Sequence, residues 1–172
     1  MQELTAHPLT ADAYAPYGDV IMARRHGEPG LPGNQGTALR FPRLAELIDA
    51  RPGRARANLG IFRCAPRTVW PMPLTLLEKH PASTQLFVPM NASRYLVVVA
   101  RGGDSPDLAT LAAFVATGAQ AITYHPGVWH HPMIALGDVT DFTCLVWEDD
   151  SDDDCVVCAY DEADQPRLRL PC

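Results

Sequence analysis

The chain is 172 residues long, with 47% hydrophobic and 20% charged side chains, which suits one domain spanning 1–172 and excludes global disorder. A formal net charge of −6 argues against a nucleic-acid partner, because a phosphate backbone calls for a basic stripe. No apolar run approaches the ~18 residues of a membrane span, and MQELTAHPLT lacks the basic start and apolar stretch of a secretion signal, so the cytoplasm is the expected compartment.

In LTADAYAPYGDVI a short helical turn after Thr10 gives way to a strand-like Asp19-Val20-Ile21, since Pro16 and Gly18 forbid a long helix. The run ARRHGEPGLPGNQG from Ala23 to Gly36 reads as a surface loop; such loops can carry function, which makes Asn34, Gln35 and Thr37 candidates for ligand contact. Leu44, Leu47 and Ile48 recur at helical spacing and predict a short helix from Pro42 to Ala50 with its stripe in the core.

Ala57 to Ala65 alternates as a strand carrying Arg63, which is either solvent-facing or a carboxylate clamp, and spacing alone favours solvent. LTLLEKH, TQLFVPM and RYLVVVA are three further strands separated by turns. LATLAAFVA fits a helix or a strand, and Asp138 to Glu148 alternates as a long strand. The acidic run from Asp149 to Asp154 reads as a solvated loop, without the Gly and closing Glu of a calcium loop. Many short strands, regular turns and little helix indicate an all-β antiparallel sandwich or barrel.

Cys64, Cys144, Cys155, Cys158 and Cys172 are odd in number and irregularly spaced, so reduced thiols are expected; Cys155 and Cys158, a C-x-x-C without a second pair, read as part of a late strand.

The chemistry concentrates in LEKHPASTQLFVP and YHPGVWHHP. Strand alternation puts Glu78 and His80 on one face, Gln85 opens the next apolar strand, and a Pro-Gly turn delivers His130, with only one of His130 and His131 turned inward. Any one of these residues alone would be an exposed strand residue or a satisfied core histidine. Four converging from separate strands make a small site whose O and N donors suit nickel, manganese, iron or zinc better than a thiolate site would. Tyr124 and Trp129 are types that pack cores more often than they touch ligands; Tyr124 is nonetheless carried as a substrate-binding candidate.

These two stretches resemble the two cupin motifs, with Glu78 and His80 at the paired-histidine positions, Gln85 at the glutamate, His125 where proline is usual and His130 at the last ligand. More closely, the chain resembles the ureidoglycolate lyase family, through YGDVI at Tyr17, FRCAP at Phe62, EKHPASTQLFVP at Glu78, DSPDLATLAAF at Asp104, YHPGVWHHP at Tyr124 and VTDF at Val139. The resemblance implies a cupin-type β-barrel (jelly roll) and a homodimer acting in allantoin and purine breakdown, where urea leaves ureidoglycolate to give glyoxylate. It also implies a divalent metal, nickel foremost with manganese or zinc as alternatives, held by Glu78, His80, Gln85 and His130, and no organic cofactor. The same four would be catalytic, and Arg63 gains weight as an anchor for the substrate carboxylate. Two other readings stand beside it: a metal-dependent cupin aminohydrolase on a related ureido compound, and a non-catalytic cupin that binds a small acid.

Overall fold

The computed structural model describes residues 2–170, so the thiol of Cys172 lies outside the described residues. Two sheets face one another. The five-stranded sheet runs in the order Val20–Ile21, Ala121–Tyr124, Gln85–Pro89, Thr140–Glu148, Arg56–Cys64, with antiparallel neighbours throughout. The opposing seven-stranded sheet is built around Arg94–Ala100, flanked on one side by Ala112–Thr117 and on the other by Trp129–His130 and Ile134–Leu136. Beyond Trp129–His130 lie Leu76–Lys79 and then Val156–Ala159. This is the all-β barrel expected from the strand pattern, with one short α-helix at Ala11–Tyr14. Among the described residues two strand pairs are parallel, Glu3–Thr5 with Arg167–Arg169 and His7–Pro8 with Ala112–Thr117.

The unbroken apolar run of RYLVVVA follows from its central place. Tyr95, Val97 and Val99 point between the two sheets, where they meet Phe87, Phe114, Tyr124 and Phe142. Leu96, Val98 and Ala100 point the other way, into a second core with Met72, Trp129 and Leu168 that a three-stranded sheet closes. A strand buried on both faces needs no polar alternation. The helical turn starts where Thr10 Oγ1 accepts the Ala13 N–H at 3.3 Å, and it ends before a close approach that only glycine permits, since a Cβ on Gly18 would lie 1.8 Å from the Thr123 carbonyl oxygen.

The helix predicted from Pro42 to Ala50 does not form. Arg43 takes a left-handed φ of 57°, and the segment then runs extended beside residues 82–84, with Thr84 N–H donating to the Ile48 carbonyl at 2.9 Å and Ala50 N–H to Ala82 at 2.8 Å. Its apolar residues are not core, as Leu47 and Ile48 are exposed, so backbone partners outweighed a three-residue stripe. The loop from Ala23 to Gly36 contributes a strand, Leu31–Gly33, to a hairpin with Ala38–Arg40. The ambiguous LATLAAFVA divides into a 3₁₀ turn, Leu108–Thr110, capped by the Asp107 carboxylate, and the strand Ala112–Thr117. Among the described residues no helix is long and apolar enough to cross a membrane.

Candidate active site

The register of the seven-stranded sheet sets Val99, His130 and Glu78 in one row across three adjacent strands. Residues directly opposite on antiparallel strands share a face, so the Glu78 carboxylate and the His130 imidazole both turn into the space between the sheets. His80 follows just beyond Leu76–Lys79. Its carbonyl accepts the N–H of Gly127, which has the positive φ of 79° that the Pro-Gly turn requires; this bond of 2.9 Å ties the two motif stretches together. From the facing sheet come Gln85, directly opposite Tyr124 in register, together with Cys144 and Phe62.

The result is a cavity of about 210 Å³ lined by Glu78, His80 and Gln85, with Asn58, Phe62 and Cys155 among its other walls. One ligand atom each from Glu78, His80 and His130 lies within 4.8 Å of the other two. His130 sits deepest, 1% exposed, with Nε2 at 3.5 Å from Glu78 Oε1.

Hydrogen bonds on the far side of each ring fix how the imidazoles present themselves. His80 Nδ1 lies 2.6 Å from the Asp154 carbonyl oxygen and His130 Nδ1 lies 3.0 Å from that of Val128. A carbonyl only accepts, so both Nδ1 atoms carry the proton, and in the neutral rings both Nε2 atoms hold a lone pair. Among the described residues both Nε2 atoms are buried without a hydrogen-bond partner, and so is the Gln85 side-chain oxygen. Orphaned acceptors beside a carboxylate are costly unless something positive or protic meets them, and this donor set fits a divalent cation.

The electrostatics agree. Burial works to raise the Glu78 pKa, but a hydrogen bond with His130 and the charge that His130, His80 and His131 carry when protonated outweigh it, so the carboxyl titrates below its ordinary value. Burial, reinforced by His130, lowers the His80 pKa against the Asp154 carbonyl and nearby carboxylates, which keeps the ring neutral and able to bind a cation. Burial pushes the Cys144 thiol up to about 12, with the Gln85 side chain opposing, and the Cys155 thiol up to about 11. The cavity therefore offers oxygen and nitrogen rather than thiolate.

Tyr124 is fully buried, its ring stacked on His130 with centroids 3.9 Å apart and planes 7° from parallel. Its hydroxyl donates to Met133 Sδ at 3.6 Å, so it serves as a shelf for the imidazole rather than as the substrate contact carried from the sequence. Arg63 is a further correction. It lies on the opposite face of its strand from Phe62, exposed, with a bidentate pair of 2.8 Å bonds to Asp141, its cross-strand partner. Strand alternation sends it away from the cavity. Asn34 and Gln35 stand exposed at the tip of the Leu31–Gly33 and Ala38–Arg40 hairpin, where the Asn34 carbonyl accepts from Thr37 Oγ1, and neither lines the cavity. His131 is buried apart, bonded through Nδ1 to the Pro132 carbonyl, so one of the adjacent histidines turns to the site as alternation requires. His125 is half-exposed, with its Nε2 at 3.7 Å from Asp19.

The acidic run is the solvated loop its composition predicts only in part: Asp150, Asp152 and Asp153 are exposed, but its two ends turn inward. Asp149 and Asp154 are largely buried against the Arg51 guanidinium, at 2.6 and 2.7 Å, and the Asp154 backbone is the partner of His80. The sequence holds no local signal for this, because Arg51 arrives from a distant loop; an Arg just before the Pro52-Gly53 turn gives no periodicity to read. The four described cysteines are free thiols, and Cys158 lies in the late strand Val156–Ala159 with Cys155 just before it.

The family model described as ureidoglycolate lyase matches residues 1–166. A ureidoglycolate lyase of Burkholderia mallei (strain NCTC 10229) is 46% identical over 142 residues, which is 83% of this chain and 81% of that protein. One of Pseudomonas syringae pv. tomato is 44% identical over 144 residues, with the same shares covered. Among solved structures, a dTDP sugar isomerase of Desulfovibrio desulfuricans G20 aligns with a TM-score of 0.48 at 17% identity, over 86% of this chain and 88% of that one. With a model match over nearly its whole length and relatives above two-fifths identity, the chain belongs to the ureidoglycolate lyase family.

Proposed function

We propose that this chain, working as one barrel domain in the cytoplasm, cleaves ureidoglycolate to glyoxylate and urea in purine breakdown, and that Glu78, His80, Gln85 and His130 carry the reaction. The observation that bears most weight is the meeting of one carboxylate and two imidazole nitrogens within 4.8 Å beside a cavity sized for a small acid. The reacting carbon holds a hydroxyl, a carboxylate and the ureido nitrogen. The Glu78 carboxylate, ionised because its pKa is lowered, accepts the hydroxyl proton as C–O becomes C=O. The C–N bonding pair leaves with nitrogen, and the departing urea nitrogen takes a proton from the Glu78 and His130 pair. Gln85, with an unpaired amide oxygen, accepts a hydrogen bond from the ureido N–H groups and orients them. A divalent metal held by Glu78, His80 and His130, nickel by family resemblance, would lower the pKa of the substrate hydroxyl and draw the carboxylate into place.

The test is paired product analysis on chelator-treated protein, repeated after adding nickel, manganese or zinc. Urea and glyoxylate should appear in equal amounts above the spontaneous rate, and one of the metals should restore activity. Ammonia in place of urea would make the protein an aminohydrolase, and binding without turnover would make it a small-acid-binding module.

We also infer a homodimer through the open edge of the five-stranded sheet. Arg56–Cys64 pairs along all nine residues with Thr140–Glu148 but has no strand on its other side among the described residues, and its outer face exposes Leu59 and Ile61. A long apolar edge left bare invites pairing with a second chain. Ile61→Lys should halve the mass seen by light scattering; an unchanged mass would place the interface elsewhere.

A further inference from the structure

We propose that Arg51 is a positioning residue for the site: it holds residues 149–154 in a closed loop whose Asp154 carbonyl keeps the His80 proton on Nδ1 and Nε2 turned toward Glu78 and His130. This rests on the reading of His80 as part of the reacting group.

Arg51 fastens the loop at Asp149, Ser151 and Asp154. Arg51 Nη1 donates to Asp149 Oδ1 at 2.6 Å and to Ser151 Oγ at 3.3 Å, while Nη2 meets Asp154 Oδ1 at 2.7 Å and the Trp147 carbonyl at 3.1 Å. The Asp154 carboxylate also accepts the Asp149 N–H, and Asp154 N–H donates back to the Ser151 carbonyl at 3.0 Å. Arg54 adds a second cation at 2.8 Å from Asp149 Oδ2, so two carboxylates face two guanidinium groups. The side chains of Arg51, Asp149 and Asp154 are only 10%, 6% and 15% exposed. A planar fork donates along two directions at once, and a lysine in its place offers a point charge that cannot span both carboxylates.

What the loop delivers is an acceptor. At 2.6 Å, the bond from His80 Nδ1 to the Asp154 carbonyl fixes both ring plane and tautomer. If the loop opens, the proton is free to sit on Nε2, the atom that must face the carboxylate and any cation. His130 provides a control within the same site, because its Nδ1 partner is the Val128 carbonyl two residues away, untouched by Arg51.

The experiment is nitrogen-15 spectroscopy of the histidine rings in the full chain, with chelator present at mildly alkaline pH, for the wild type, Arg51→Lys and Asp154→Asn. The wild type should show His80 protonated on Nδ1; both variants should show a substantial Nε2–H fraction, with His130 unchanged. Urea release should fall about tenfold or more in kcat, the usual cost of losing an outer partner of a site histidine, with KM little altered. Folded variants that keep His80 wholly as the Nδ1–H form would overturn the proposal, and so would a wild-type His80 that carries its proton on Nε2, a readout that needs no variant to fold. Because the ring signature is read without substrate, it stands or falls apart from the proposed reaction.

Discussion

Glu78→Gln is expected to cut urea release by about 10²–10⁴-fold in kcat while the fold persists, the range typical for loss of a general base. The amide keeps the shape of the side chain but cannot take the hydroxyl proton. Its place also keeps the fold out of the result: Glu78 is part-exposed on the cavity wall, and its cross-strand partner His130 retains the Val128 bond and the Tyr124 stack. Steady-state kinetics with circular dichroism on the same sample check this. Activity within tenfold of wild type would assign the proton transfer to another residue.

Tyr124→Ala should cost about 3–5 kcal/mol of stability, the range for truncating a buried aromatic, and should also cost most of the activity. The ring stacks on His130 at 3.9 Å and packs edge-on against Phe87 at 6.2 Å, so its removal opens a void directly behind the imidazole. Tyr124→Phe separates the ring from the hydroxyl. Among the described residues the hydroxyl bonds to the weak thioether acceptor of Met133, at 3.6 Å, so this variant should lose no more than about 1 kcal/mol, the worth of one ordinary hydrogen bond. Denaturant midpoints and kcat/KM on both variants decide the matter. A collapse of kcat/KM in Tyr124→Phe with stability intact would return Tyr124 to direct substrate contact.

The site residues divide by how far the sequence signal reaches. Glu78 and His80 were legible as a pair because strand alternation is local, and Gln85 and His130 because each opens or follows a turn that sets its direction. For Arg63, spacing favours solvent and the family likeness adds weight to a carboxylate anchor; alternation places it opposite Phe62, on the outer face, where it pairs with Asp141. The predicted helix at Pro42 to Ala50 failed for the opposite reason. There the periodicity was real but short, and bonds to residues 82–84 satisfied the backbone in another conformation.

The amino-acid sequence by itself determined the strands, the turns between them and the motif residues, because alternation, β-branching and Pro/Gly punctuation act over a few residues. It also carried the family, since that likeness is written in the residues themselves. Only the tertiary structure decided which groups meet: the row from His130 to Glu78, the Tyr124 shelf, the parallel pairing of the two ends of the chain, and the Arg51 clamp that turns an acidic loop into a partner of His80. Each joins segments far apart in the chain. Their contact is set by strand register and by the burial of charges against one another, and no local pattern encodes either.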